Sequence, residues 1–236
     1  RRHGPAPIDD HSAPSTPEPH PVRSRLVLVT PLTLDPALFA RDLADALSGG
    51  EVASLIIAPS VTSEMALQRI AETLTPIAQQ AGAAVMVAND TRAMGRAKAD
   101  GVHVDGGIAA LKEAIDAVQP RGMVGAAHLQ TRHDAMEAGE AGADYVFFGF
   151  LDKEEGPDTH KKSLELGEWW ASMFEPASII LAGATIDSVT EAAETGVDFV
   201  AVRSAVWTHP DGPAAAVRRA NAILDLVAEC RKAATA

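Results

Sequence analysis

The sequence predicts an α/β fold, a single (β/α)8 TIM barrel, from two observations. Eight short, continuously apolar segments alternate with helical patterns from residue 26 onward, as expected for parallel strands that are covered on both faces. Three similar junctions recur over residues 99–103, 142–146 and 196–200, and each joins an alanine-rich stretch to an apolar run through a small residue and an aspartate. Repeated helix-to-strand junctions of this kind are typical of stacked βα units.

The eight predicted strands are evenly spaced. They cover residues 26–30, 54–58, 84–88, 101–104, 123–126, 144–148, 178–182 and 198–202. An open, doubly wound sheet is the rival architecture. The even repeat favours the barrel, and so does the lack of a glycine-rich turn after the first strand.

The predicted helices fill the intervals between the strands. They cover residues 36–47, 63–80, a short segment capped by Asp90 or Thr91, and then 107–118, 131–141, 163–174, 186–195 and 213–233. Pro36 suits the first turn of its helix because the N–H that it lacks would have no helical partner there. Pro76 lies inside the second helix and predicts a kink or an early end.

The N-terminal segment differs in composition from the rest of the chain. Residues 1–24 hold six prolines and three histidines and too few apolar residues to offset the entropy of ordering. We therefore predict a disordered or loosely draped tail over 1–24 and one barrel domain over 25–236.

Composition limits the partners. The formal net charge of −12 excludes a general nucleic-acid-binding surface, which needs a basic stripe. No apolar run approaches the roughly 20 residues that span a bilayer, so we expect neither a membrane partner nor a secretory signal. The single cysteine, Cys230, fits a reducing compartment, and a cytoplasmic location is expected.

In barrels of this kind the loops that follow the strands build the active site. Gly183 and Ala184 follow the seventh strand, and Arg203 and Ser204 follow the eighth. Backbone N–H groups, a guanidinium and a hydroxyl together predict a cradle for a phosphate group. This prediction requires Arg203 to face the barrel mouth and Gly183 to lie near Ser204. The alternative is two ordinary turns with a solvated Arg203.

The loop after the third strand carries Asn89 and Asp90. An adjacent amide and carboxylate suit a hard cation such as Mg²⁺ or a ligand hydroxyl. The same residue types are common helix N-caps, and the residues taken alone favour the cap.

Two histidines lie near the predicted mouth. His103 alternates with apolar neighbours in the fourth strand, which predicts that it points into the barrel. His128 follows the fifth strand, where an imidazole suits acid–base catalysis, although a structural histidine is the alternative.

The loop after the sixth strand, residues 152–162, is long and charged. It could close as a lid over an anion with the help of Lys161 or Lys162, or it could be a solvated flap.

Taken in order, these segments resemble the thiamine phosphate synthase and thiazole tautomerase superfamily. The segments that carry the resemblance are 87–90, 99–104, 142–146 and 200–206, within a similarity that extends over about residues 25–225. The resemblance implies a transferase that joins hydroxymethylpyrimidine diphosphate to a thiazole phosphate, with Mg²⁺ assisting the departure of diphosphate. It further implies that Asp90 binds Mg²⁺, that Asn89 binds the diphosphate, and that Gly183 and Ser204 bind the phosphate.

Several positions depart from the family pattern. A Gln-x-Arg-x-Lys segment of the family corresponds to Ile56, Ala58 and Ser60, without positive charge. The family's second metal-binding aspartate corresponds to Ile108, for which Asp105 could substitute. A diphosphate needs several donors and a firm carboxylate, so this half of the site is reduced, whereas the phosphate half gains Arg203.

Three hypotheses describe the function. The first is a thiamine phosphate synthase, or a diverged relative that keeps only the phosphate site. The second is a thiazole tautomerase-like isomerase with His128 as acid and base. The third is a non-catalytic binder of a phosphorylated metabolite. Each hypothesis implies a phosphorylated small-molecule ligand, and barrels of this kind also allow a homodimer.

Overall fold

A computed structural model describes residues 23–61 and 63–235 of the chain. Eight parallel strands close into a barrel in chain order, so the predicted (β/α)8 barrel is confirmed. The strands are β1 (Arg25–Val29), β2 (Ser54–Ile57), β3 (Ala84–Ala88), β4 (Gly101–Val104), β5 (Met123–Ala126), β6 (Tyr145–Phe148), β7 (Ala177–Leu181) and β8 (Phe199–Val202). Each strand lies within one residue of a predicted segment.

Helices follow the strands around the outside of the barrel. They are α1 (Pro36–Ser48), α2 (Glu64–Gln80), α3 (Thr91–Ala97), α4 (Ile108–Val118), α5 (Arg132–Ala141), α6 (Lys161–Met173), α7 (Val189–Glu194), α8 (Ser204–Trp207) and α9 (Pro213–Thr235). A 3₁₀ turn, Ile186–Ser188, precedes α7. Helix α2 continues through Pro76 to Gln80, so the early end that Pro76 predicts is wrong. The one-turn helix α8 was not predicted because four residues are too few for a periodic pattern.

Side chains of each strand alternate between two apolar layers. One layer packs outward against the helices and contains Leu26, Leu55 and Val102. The other fills the lumen of the barrel and contains Val27, Ile56, Met86, Phe147 and Ile179. The lumen is thus a packed core, and only its upper end, where the strands finish, can receive a ligand.

The aspartates of the three repeated junctions close the opposite, N-terminal end of the barrel. Each stands just before an even-numbered strand, and one of its carboxylate oxygens accepts the N–H of a residue in the preceding odd-numbered strand. The pairs are Asp100 with Val85, Asp144 with Val124, and Asp198 with Ser178, all within 2.8 Å. The repeated aspartates therefore act as hydrogen-bond acceptors for strand N–H groups at the N-terminal end of the barrel, opposite the mouth.

We expect Asp100→Ala to lower the free energy of unfolding by about 2 kcal/mol, because the buried N–H of Val85 loses a charged acceptor. Urea denaturation measures the change. Asp116→Ala, which removes the same group from an exposed position of α4, is the matched control. Equal stability of the two variants would contradict the assigned role.

Arg23 and Ser24, the last two residues of the predicted tail, contact the barrel, whose first strand begins at Arg25. The Ser24 hydroxyl donates to the carbonyl of Val197, and Arg23 donates to Asn221 and Asp225 of α9. The rest of the predicted tail, residues 1–22, lies outside the described residues. Within residues 23–61 and 63–235, no helix has the length and apolar character that a membrane crossing needs.

Candidate functional site

A cavity of about 220 Å³ opens at the centre of the barrel mouth. The polar side chains that line it are His103, Asp105, His128 and Asp152. They come from the ends of β4, β5 and β6, so three of the loops singled out in the sequence meet at this cavity, whereas the loops after β3, β7 and β8 do not line it.

His103 lies in the lumen at this cavity, as its position in the strand predicts. The residue is 1% exposed, and its Nδ1 lies 2.8 Å from the hydroxyl of Tyr145. Its Nε2 is buried and has no hydrogen-bond partner among the described residues. Burial lowers the pKa of His103 to about 3 and raises the pKa of Tyr145, so both groups stay neutral at physiological pH.

The neutral states define the proton positions. We assign the Tyr145 hydroxyl as the donor to His103 Nδ1, because this hydroxyl has no other hydrogen-bond partner among the described residues. The ring proton of His103 then lies on Nε2. The imidazole is therefore a buried N–H donor at the cavity, and it is not a cation.

A glycine in β5 makes room for this pair. A Cβ at Gly125 would lie 1.9 Å from the ring of Tyr145. Any side chain there would displace the ring and break its contact with His103. Nothing in the local sequence indicates this pairing, because the two residues are 42 positions apart and the signal is only a small residue in an apolar strand.

His128 stands at the rim of the same cavity. It is exposed, its backbone is left-handed with φ of 59°, and its Nε2 lies 2.9 Å from the amide nitrogen of Gln130. A left-handed backbone is uncommon outside glycine, and His128 is among the residues that line the cavity. This position agrees with the predicted location of His128; its chemical role stays a prediction.

Asn89 and Asp105 form a reciprocal pair between the loops after β3 and β4. The Asn89 amide nitrogen donates to Asp105 Oδ1 at 2.8 Å, and the Asp105 backbone N–H donates to Asn89 Oδ1 at 2.9 Å. Ile108 instead packs against the outer core. The carboxylate at this side of the mouth is therefore Asp105, whereas Ile108 points away.

Asp90 caps helix α3, as the simpler interpretation of this residue predicts. Its Oδ1 accepts from the N–H groups of Arg92 and Ala93 at 2.9 and 2.8 Å. Its Oδ2 makes no hydrogen bond within the described residues. The cap and a ligand are thus compatible, because each uses a different oxygen.

The residues present fit a magnesium ion that a diphosphate brings with it, but they do not fit a metal site of protein ligands alone. In residues 23–61 and 63–235, no three His, Cys, Asp or Glu side chains gather as a metal site. Magnesium is commonly held by one or two carboxylates together with substrate phosphates, and Asp90 and Asp105 could supply those carboxylates.

The second strand contributes no charge to the mouth. Ile56 and Ala58 belong to the apolar lumen, as their types require. Arg92, which no sequence motif singled out, lines a neighbouring cavity together with Asn89 and Asp90. It is an exposed cation on the same side of the mouth as the two carboxylates.

The predicted phosphate side is covered by the loop between β6 and α6. Strands β7 and β8 are neighbours, so the loops that carry Gly183 and Ser204 are adjacent, as predicted. The N–H of Ala184 donates to the carbonyl of Gly156 at 2.8 Å, and the N–H of Thr185 donates to that of Pro157 at 3.1 Å.

The close approach of the loop between β6 and α6 explains why residue 183 is a glycine. A Cβ at Gly183 would lie 2.4 Å from the carbonyl oxygen of Pro157. The glycine thus allows the loop to approach closely. Lys161 and Lys162, the predicted cations of a lid, are instead exposed at the start of α6.

The structure places Arg203 differently from the prediction. Its side chain is 1% exposed, and its Nε donates to Glu155 Oε1 over 2.7 Å. Its Nη1 donates to the carbonyl of Leu151 at 2.9 Å, and its Nη2 donates to the carbonyl of Lys153. The predicted orientation of Arg203 toward the open mouth is therefore wrong, because a buried guanidinium requires such partners and the loop supplies them.

Ser204 contacts the same acidic segment. Its hydroxyl lies 2.7 Å from Glu155 Oε2 and 3.1 Å from Glu154 Oε2. In the sequence Glu154 and Glu155 are only part of a charged loop. No local pattern links them to residues about 50 positions away.

Comparison with known proteins agrees with the resemblance inferred from the loop motifs. The profile of the family described as thiamine monophosphate synthase matches residues 26–206. A thiamine-phosphate synthase of Hyphomonas neptunium is 38% identical over 220 residues, which cover 90% of this chain and 99% of that protein. A thiamine-phosphate synthase of Rhodospirillum centenum is 37% identical over 202 residues, which cover 85% of this chain and 97% of that protein.

Solved structures show the same fold. The thiamine phosphate pyrophosphorylase from Pyrococcus furiosus superimposes with a TM-score of 0.70 at 22% identity, covering 87% of this chain and 97% of that one. The dimeric archaeal Rubisco from Hyperthermus butylicus gives 0.66 at 14% identity, covering 89% of this chain and 61% of that one. At such identities the likeness concerns the barrel alone.

Proposed function

The chain belongs to the thiamine monophosphate synthase family, and we propose that it joins hydroxymethylpyrimidine diphosphate to a thiazole phosphate and releases diphosphate. The observation that carries this proposal is the Asn89–Asp105 pair. It holds a second carboxylate, that of Asp105, against the residue that precedes Asp90, even though Ile108 stands where the family has its metal-binding aspartate. The diphosphate half is thus rearranged and not lost.

On this side of the mouth the residues act on the leaving group. Asp90 Oδ2 and the carboxylate of Asp105 would hold Mg²⁺, which when bound neutralises charge on the departing diphosphate. Arg92, which lines a cavity with Asn89 and Asp90, would add a positive charge in place of those that the second strand lacks. Asn89 keeps Asp105 oriented through its two hydrogen bonds.

At the centre, His103 orients the substrate. A neutral Nε2–H in a buried setting can donate to an acceptor atom of a heterocyclic ring. The ring stays neutral at working pH, with a single N–H, because burial keeps the pKa of His103 near 3. Phe147, which packs edge-on against the imidazole at 4.9 Å, and Tyr145 fix the plane of the ring.

On the far side, the backbone at Gly183 and Ala184 and the hydroxyl of Ser204 would hold the phosphate of the thiazole substrate. The donors of Ala184 and Ser204 are of the kind that bind phosphate, although the loop over residues 151–157 engages them in this conformation. Arg203 joins them when the loop moves aside.

The direct test is formation of thiamine phosphate by the purified chain from the two precursors with Mg²⁺. Product should appear with both precursors and not with either alone. A known thiamine-phosphate synthase assayed in parallel shows that the precursors are competent. No product in that setting would exclude synthase activity.

A second candidate function is isomerisation of a phosphorylated thiazole, favoured by the exposed His128 at the cavity rim and by the lack of cations from β2. We expect His128→Ala to abolish isomerase turnover while the affinity for the phosphate ester stays within about twofold, since a positioned acid–base group contributes typically 10²–10⁴-fold. Isomerase kinetics and calorimetry measure the two quantities.

The control for this prediction is His133→Ala, which removes an exposed imidazole from α5. An isomerase rate that survives His128→Ala contradicts the role of this residue. Ester binding with neither synthase nor isomerase turnover would support the third hypothesis, a non-catalytic binder.

A further inference from the structure

We propose that the carboxylate of Glu155 occupies the place of the substrate's phosphate, so that a phosphate ester binds only by displacing it. The proposal rests on the phosphate site proposed above and names a residue that sets its affinity. It follows from one observation about residues 151–157, here called the covering loop. This loop already occupies the hydrogen-bond donors that are proposed to bind phosphate, which belong to Ala184, Thr185, Arg203 and Ser204.

Glu155 is bound as an anionic ligand would be. One carboxylate oxygen accepts from Arg203 Nε at 2.7 Å, and the other lies 2.7 Å from the Ser204 hydroxyl. Its side chain is 5% exposed. A guanidinium binds carboxylate and phosphate oxygens with the same geometry, so the two anions are interchangeable on these donors.

The backbone of the covering loop mimics the remaining phosphate oxygens. The carbonyls of Gly156 and Pro157 accept from the N–H groups of Ala184 and Thr185, and the Thr185 hydroxyl also donates to Pro157. Those two N–H groups follow Gly183, where a nearby phosphate would otherwise be received. The loop thus satisfies side-chain and backbone donors at once.

Charge makes the two occupants mutually exclusive. Glu154 Oε2 lies 3.1 Å from the Ser204 hydroxyl, so two carboxylates and one guanidinium already meet here. A dianionic ester added to this group would leave the local charge strongly negative. The ester therefore displaces Glu155, and the cost of that exchange lowers its apparent affinity.

The test compares Glu155→Gln with the wild-type chain. Glutamine keeps the shape and an acceptor oxygen but removes the charge that competes with phosphate. We expect Glu155→Gln to bind inorganic phosphate at least about tenfold more tightly, measured by calorimetry. Glu165→Gln, which neutralises an exposed glutamate of α6, is the matched control and should bind as the wild type does.

Hydrogen exchange on the wild-type chain provides a readout without substitution. Phosphate should speed exchange over residues 150–160, because the covering loop gives up its contacts. If Glu155→Gln lowers the folded fraction, this measurement decides. Slower or unchanged exchange overturns the proposal, as do a gain in affinity below about threefold, an equal gain in Glu165→Gln, and the lack of phosphate binding by every variant.

Neither readout depends on turnover. A chain that makes no thiamine phosphate but binds phosphate more tightly after Glu155→Gln supports this proposal and contradicts the synthase activity. A chain that makes thiamine phosphate with unchanged phosphate affinity in Glu155→Gln supports the synthase activity and overturns this proposal. The two failures are therefore distinguishable.

Discussion

Asp90→Asn should lower the rate of thiamine phosphate formation by about 100-fold or more while leaving the fold intact. Asparagine caps helices as well as aspartate does, so the bonds to Arg92 and Ala93 remain. What disappears is the negative charge on Oδ2, which the leaving diphosphate and its cation require. Steady-state kinetics measures the rate, and thermal unfolding checks the fold.

Asp35→Asn is the matched control for this substitution. Asp35 caps α1 in the same way, with Oδ1 accepting from Ala37 and Leu38 at 3.0 Å each. Both variants should unfold within a few degrees of the wild type, but only Asp90→Asn should lose turnover. A rate within about fivefold of the wild type in Asp90→Asn would show that Asp90 is a cap and nothing more.

The fold could be predicted from the sequence because local signals agree with it. Continuous apolar runs predict buried strands, and the small residue and aspartate before β4, β6 and β8 mark where helices end. The incorrect prediction for a helix also came from a local signal in the sequence. Pro76 predicts a kink or an early end of α2, yet the helix runs on to Gln80, with Ile70, Leu74 and Ala78 buried on both sides of the proline.

The candidate site was predictable in location but only partly in geometry. Strand ends fix where Asn89, His103 and His128 lie, and the structure brings them to one mouth. The orientation of Arg203 depends on Glu155, which is 48 residues away in a loop without periodicity. A guanidinium after a strand predicts an anion nearby, but it does not say whether that anion is a ligand or the chain's own carboxylate.

For a similar reason Asp105 could be predicted only as a substitute for Ile108. The alternation of a strand ends at Val104, and beyond it no rule of spacing fixes which side chain turns toward the mouth. The Asn89–Asp105 bonds decide the matter in the structure. Long-range hydrogen bonds between loops are thus the main information that the sequence alone did not provide.

His103 should make the protein acid-labile. In the unfolded chain its pKa is near 6.5, whereas burial holds the folded-state pKa at about 3. Between these values the unfolded state binds one more proton than the folded state, so the free energy of unfolding falls as pH falls. The slope reaches about 1.4 kcal/mol per pH unit, and the loss from pH 7 to pH 4 is roughly 3 kcal/mol.

Urea denaturation at pH 7, 6, 5 and 4 tests this expectation on the wild type and on His103→Gln. The variant is expected to be less stable at pH 7, because it disturbs the contact with Tyr145, but its stability should fall less steeply. Other groups titrate in both proteins, so the difference between their slopes isolates His103. His133→Gln, an exposed substitution on α5, should follow the wild type. Parallel curves for wild type and His103→Gln would mean that His103 is solvated or charged in the folded protein, and a neutral Nε2–H donor at the cavity would then be untenable.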